Sequence, residues 1–203
     1  MTKQTIDWVS GFQSLRMVSA LESKDVDVIE EELIKLSERG VHCGRFDVAE
    51  LYETGDLIPA SPNDAIFWYQ QGRESERDPR CMFALARIHF SGLLGVRVDM
   101  ERSDALFREA SEHGMHEASI VLVENILSGN FPAVNTGDLQ RTLEPAVSAG
   151  YVKALRLSGD IFSLSGRWFR AFAMRALSNV VGSLLSRTPT DPRLYRTRWS
   201  GDT

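Results

Sequence analysis

Small residues recur along this chain at a fixed step. Ala49, Ala86, Val123 and Gly159 stand 37, 37 and 36 positions apart. Tyr52, His89, Ile126 and Phe162 keep the same step, and so do Gly55, Gly92, Gly129 and Ser165. Self-similarity at a period of roughly 20–50 residues is the mark of a stacked repeat architecture. One such unit cannot bury its apolar face alone, so neighbouring units must stack.

Within each unit the apolar spacing is helical. Phe46, Ala49, Leu51 and Tyr52, then Phe83, Ala86, Ile88 and Phe90, follow the roughly 3.6-residue pattern and not strand alternation. Glycine at 55, 92 and 129 closes this first helix, because it tolerates the positive φ that a helix C-terminus often needs. A second helix opens on capping chemistry. Ser61-Pro62-Asn63-Asp64 offers a side-chain oxygen at the N-cap, proline at the first helical position and an acid in the first turn. Asp99 and Asn135 stand at the corresponding places in the next two units. Trp68-Tyr69, Leu106-Phe107 and Thr142-Leu143 match one another, and Gly114 and Gly150 end two of the segments. The small residue lets two antiparallel helices approach closely, and the bulky residue three positions later fills the space beside that contact.

Upstream, Asp25 and Gly40 have the spacing of Asp99 and Gly114, which predicts another second helix with Ile6 to Leu21 as its partner and N-terminal cap. Downstream, a helix beginning near Arg167 carries Phe169, Phe172, Ala173, Ala176, Leu177, Val180, Val181, Leu184 and Leu185 on one wide apolar face, flanked by Arg167, Arg170, Arg175 and Arg187. It is expected to cap the last repeat. A membrane-surface role is the lesser reading.

On these residues the chain resembles the Sel-1-like repeat family, a relative of the tetratricopeptide repeat. The second full unit matches best, at Leu85-Ala86, His89, Gly92, Gly95-Val96, Asp99, Ala110 and Gly114, with one extra residue in Gly92 to Gly95. The first matches at Val48-Ala49, Tyr52, Gly55 and Trp68-Tyr69. The third keeps Ala118, Leu122, Gly129, Ala146 and Gly150, and the fourth keeps Ala154, Gly159, Phe162 and Trp168-Phe169 with a loop shortened to about Ser165–Arg167. The resemblance implies an all-α fold, a right-handed α/α superhelical solenoid of antiparallel helix hairpins with N- and C-terminal capping helices. It implies a single domain over 1–187, with about four repeats at 43–177, a half-repeat at 25–40 and a capping helix to 187, then a flexible tail at 188–203.

Composition narrows the partners. A net charge of −5 argues against a broad nucleic-acid surface, because phosphate binding needs clustered Lys and Arg. The N-terminus has no charged-then-apolar secretion pattern. The longest uncharged apolar-rich run, Ala176 to Ser186, falls short of the ~20 residues that span a bilayer. With only Cys43 and Cys81, the expectation is a soluble bacterial protein of the cytoplasm with reduced thiols.

Most chemically suggestive residues fit packing better than catalysis. Cys43 and Cys81 are expected to be buried thiols. His113 and His116 flank Gly114, which reads as a helix end, and no acid or cysteine completes a metal set there. His89 stands at the tyrosine position and should pack. Glu30-Glu31-Glu32 with Lys35 and Arg39 reads as a solvated face. Trp68, Tyr69, Phe107 and Phe169 recur at repeat spacing as packing residues; Trp8 and Trp199 fall outside the period. No phosphate loop, dinucleotide fingerprint, nucleophile elbow or zinc-protease motif is present, so no catalytic, cofactor or metal residues are assigned.

In tetratricopeptide-type stacks the first helices line a concave wall. The resemblance therefore points the residue after each small residue into a groove: Glu50, Arg87, Glu124 and Asp160. One turn to either side stand Phe46, Phe83, Ile120 and Arg156, and Glu53, Phe90, Leu127 and Ser163. Such a groove would be apolar in the middle and mostly acidic around it, suited to a peptide or helix with apolar anchors and basic residues. The implied function is a non-catalytic protein–protein interaction scaffold or adaptor. An immunity protein that neutralises a toxin or enzyme, a membrane-associated assembly factor using the Arg-flanked last helix, and a homo-oligomer are the alternatives.

Overall fold

A computed structural model describes residues 15–38, 44–56, 58–186, 191 and 193. Trp8, Gly40, Cys43, Trp199 and nearly all of the expected tail lie outside the described residues. All the regular structure among the described residues is helical, and the fold class is all-α as the periodicity predicts. The chain divides into two compact units, which meet in sequence between Val98 and Asp99.

The first unit contains α1 (Leu15–Ser23), α2 (Val26–Glu38), α3 (Arg45–Thr54), α4 (Pro62–Gln71) and α5 (Pro79–Ser91). Helix α1 packs on α2, α3 on α4, and α4 on α5. Helix α2 is the helix expected upstream of the repeats. Ala49 and Ala86 are fully buried, and Tyr52, Trp68 and Tyr69 close around the first contact. The Tyr52 hydroxyl donates to the Leu21 carbonyl at 2.7 Å, which ties α3 to α1. Glu30 and Glu76 flank Arg45 at 2.8 and 2.6 Å, while Glu31 and Glu32 pair with Arg16 and Lys35. The acidic run thus faces charged neighbours at the surface, where each pair contributes only about 0–1 kcal/mol.

The second unit contains α6 (Met100–Glu112), α7 (His116–Leu127), α8 (Thr136–Ser148), α9 (Val152–Leu164) and α10 (Trp168–Leu185), each packed on the next. Asp99 and Asn135 cap α6 and α8, accepting from the backbone N–H of Arg102 and Asp138 at 2.9 Å. Val123 and Gly159 are buried at the third and fourth rungs of the ladder. A side chain at Gly159 would meet the Arg175 Cγ at 3.1 Å and the Ala171 carbonyl oxygen at 3.2 Å, so this rung sets how closely α10 lies on α9.

Three local expectations are corrected. Ser61 stands at the N-cap of α4 but makes no cap to the backbone; its hydroxyl turns to Asp64, which also pairs with Lys24. The helix-ending row uses left-handed Gly55, Gly92 and Gly129, with φ of 77°, 69° and 80°. In the fourth unit Ser165 keeps an ordinary φ and Gly166, at 73°, takes that position one residue later. The third correction concerns α10. Its buried side carries Ala171, Ser178 and Leu185, and the Ser178 hydroxyl donates to the Val152 carbonyl of α9 at 3.2 Å. Phe169, expected to pack inside like Trp68, Tyr69 and Phe107, is 93% exposed, and most of the predicted apolar face points away from α9. Small side chains at 159, 171 and 178 permit the closest approach, and that register rotates the larger residues outward.

Candidate functional site

In the first unit, α3 presents Phe46, Glu50 and Glu53, all half-buried. The Phe46 ring lies 5.7 Å from the Tyr69 ring, and the Arg80 guanidinium sits 4.6 Å from its centroid on a cation–π contact. The Tyr69 hydroxyl donates to Glu53 at 2.6 Å; burial first, then this carboxylate, pushes the Tyr69 phenol up. Helix α5 presents Phe83, Arg87 and Phe90, also half-buried. Phe46 and Glu53 are already engaged by their own unit.

Burial, reinforced by the negative charges of Asp47 and Glu53, holds the Glu50 carboxyl above its ordinary value of 4.5. A carboxyl raised in the folded state binds its proton more readily there than in the unfolded chain. Its contribution to stability is therefore most favourable below the unfolded value, and it declines as pH rises through the raised folded value. Glu50→Gln is expected to raise the thermal unfolding midpoint at pH 7 and to change it little near pH 4. Thermal denaturation followed by circular dichroism at the two pH values measures the difference.

The second unit brings three predicted residues together. Glu124 from α7 and Arg156 and Asp160 from α9 line one depression of about 490 Å³, with Lys153, Leu157, Arg175 and Asn179. Lys153 pairs with Glu124 at 2.6 Å, and Arg175 pairs with Asp160 at 2.8 Å. Arg156 is exposed and has no ion pair among the described residues. The lining carries two acids and three bases, so it is locally basic, where the sequence pattern predicts an acidic groove. Lys153 and Arg175 were not legible as site residues. Arg175 comes from α10, whose rotation the sequence does not fix.

Ile120 is also corrected. It is fully buried, because α7 is packed by α6, α8 and α9, and it presents no groove surface. Leu127 is half-buried on α7 and lies outside the lining. A second depression of about 420 Å³, not anticipated, opens between α8 and α9 beside the start of α10, with Gln140, Arg141, Phe162, Arg167 and Arg170 among its lining.

Other reactive groups stay apart. His113 lies just past the end of α6, and His116 opens α7. The described residues contain no group of three or more His, Cys, Asp or Glu that could hold a metal ion. His89 is buried in α5, and burial pushes the Cys81 thiol up, which keeps it protonated and unreactive. No described helix is long and apolar enough to cross a membrane.

Antiparallel helix pairs that cross at small residues, and end at left-handed glycines, define the class as an all-α helical-repeat protein. The Sel1 repeat family model matches residues 44–75 and 79–115. The chain thus carries Sel1-like repeats over those two stretches. It is similar to a Rhizobium meliloti (strain 1021) protein named exopolysaccharide production negative regulator, 28% identical over 167 residues, covering 76% of this chain and 62% of that relative. Two crystal structures share the fold. A Sel1 repeat protein from Oxalobacter formigenes superposes with a TM-score of 0.58 at 21% identity, over 71% of this chain and 44% of that one. A protective antigen of uropathogenic Escherichia coli strains, displaying an SLR fold, superposes with a TM-score of 0.57 at 17% identity, over 84% and 38%. The chain thus spans less than two thirds of the length of each. Sel1 repeats generally mediate protein–protein interaction on a scaffold that is generally not catalytic.

Proposed function

We propose that this chain is a non-catalytic binding scaffold that engages a protein partner on the face formed by α7, α9 and α10. One observation carries the reading. In a depression whose other charges are paired, Arg156 alone is exposed and uncommitted among the described residues. A guanidinium in that setting is ready for a bidentate carboxylate, at little desolvation cost to the ion pairs beside it. The partner segment therefore carries an acidic anchor for Arg156 and an apolar group for Leu157, opposite in charge to the segment an acidic groove would take. Likeness to a protein named as a negative regulator supports restraint of the bound partner as the outcome of binding.

Quantitative mass spectrometry of proteins retained on the immobilised chain tests this. Arg156→Glu is expected to lose a partner at least about tenfold, the loss of one charge-assisted contact. Arg141→Glu, an equal charge change on α8 outside this depression, should retain it. Equal retention by both variants would remove the face from the account.

A further inference from the structure

Helix α10 is apolar on two sides. Ala171, Ser178 and Leu185 are its buried side, with Ala171 and Ser178 against α9. On the opposite side Phe169, Phe172, Ala173, Ala176, Val180 and Leu184 form a stripe with the recurring three- and four-residue spacing of a helix-packing seam. Phe169 is 93% exposed, Phe172 75%, Leu184 60% and Val180 57%. At about 150–250 Å² for a whole aromatic side chain, the stripe exposes on the order of 700 Å² of apolar surface. That exceeds the roughly 300–600 Å² of the largest apolar patch on an ordinary monomer. It approaches the ~800 Å² that each partner contributes to a standard interface.

We propose that this stripe pairs with the same stripe of a second copy, in an antiparallel, two-fold arrangement centred near Ala176. The residue order fits self-association. Aromatic rings stand at the N-terminal end, aliphatic side chains at the C-terminal end, and Ala173 and Ala176 between them. An antiparallel pair sets each copy's Phe169 and Phe172 over the other's Val180 and Leu184, and lets the helix axes come closest at the alanines. A two-fold contact uses one self-complementary patch on both copies. A membrane-surface helix fits less well, because it needs a strongly charged face opposite the apolar one. Here that opposite face is packed on α9, and the helix has only Arg170 and Arg175 as charged residues. Arg175 and Asn179 lie on a third side, so pairing leaves the Arg156 depression open.

Sedimentation velocity across a concentration series of the full chain, with and without anionic phosphatidylglycerol vesicles, provides the test. The wild type is expected to sediment at twice the chain mass. Phe172→Glu should weaken the dimer by about 30-fold or more, the effect of losing one interface hot spot, with unchanged helical circular dichroism. In a Cys43→Ser background, a short bismaleimide should link Ala176→Cys to itself and leave Phe169→Cys unlinked. A wild type that stays monomeric at every concentration overturns the proposal, as does a dimer indifferent to Phe172→Glu. So does a Phe169→Cys self-link, which requires a parallel pair, or a monomer that sediments only with vesicles.

Discussion

Gly159→Leu is expected to destabilise the second unit by about 3 kcal/mol, the upper part of the range for overpacking a close contact. Glycine is there for space. The first added carbon already lies 3.2 Å from the Ala171 carbonyl oxygen, a backbone atom that moves only if α10 moves. A leucine must push α10 off α9. That breaks the seam through Ala171 and Ser178 and separates Arg175 from Asp160. Gly182→Ala makes the contrast. Its added carbon meets Val152 at 3.6 Å, an ordinary contact, and alanine gains about 0.5–1 kcal/mol over glycine inside a helix. Urea unfolding of the two variants should therefore shift in opposite directions.

Trp68→Ala is expected to cost about 3–5 kcal/mol, the range for removing a fully buried aromatic side chain. Trp68 is among the largest fully buried side chains, beside Tyr69 and fully buried Ala65. The same truncation at Phe169, which stands where the first unit has Tyr69, made in the Phe172→Glu background that disfavours pairing between copies, should change stability by no more than about 0.5 kcal/mol, because almost all of that ring lies outside the packing of its own chain. Midpoints of chemical denaturation for the two alanine variants measure how far the repeat register governs burial. Similar losses would mean that Phe169 is covered by its own chain.

What the sequence revealed and what it hid follow from one distinction. Ala49, Ala86, Val123 and Gly159 must be small wherever the helices touch. Gly55, Gly92 and Gly129 must tolerate a left-handed backbone. Asp99 and Asn135 must accept from a free N–H. Each requirement is local and leaves a residue type behind, so the helices, their ends and their crossings were legible. The rotation of α10 was not, because apolar residues on two sides satisfy either orientation. The charge of the site was hidden for a related reason. Glu124 and Asp160 are visible as acids, but their neutralisation by Lys153 and Arg175 depends on where neighbouring turns and a neighbouring helix place two long cations. Ile120 shows the same limit: it shares a repeat position with half-buried Phe46 and Phe83, yet three packed neighbours bury it completely.

Docking of a partner on the α7, α9 and α10 face through Arg156 should leave a footprint in backbone exchange. Hydrogen–deuterium exchange of the chain, free and bound to a partner captured in an Arg156-dependent way, measures this directly. New protection is expected in α9 around Arg156 and at the facing part of α7. Protection confined to the first unit, with α9 exchanging as in the free chain, would contradict it.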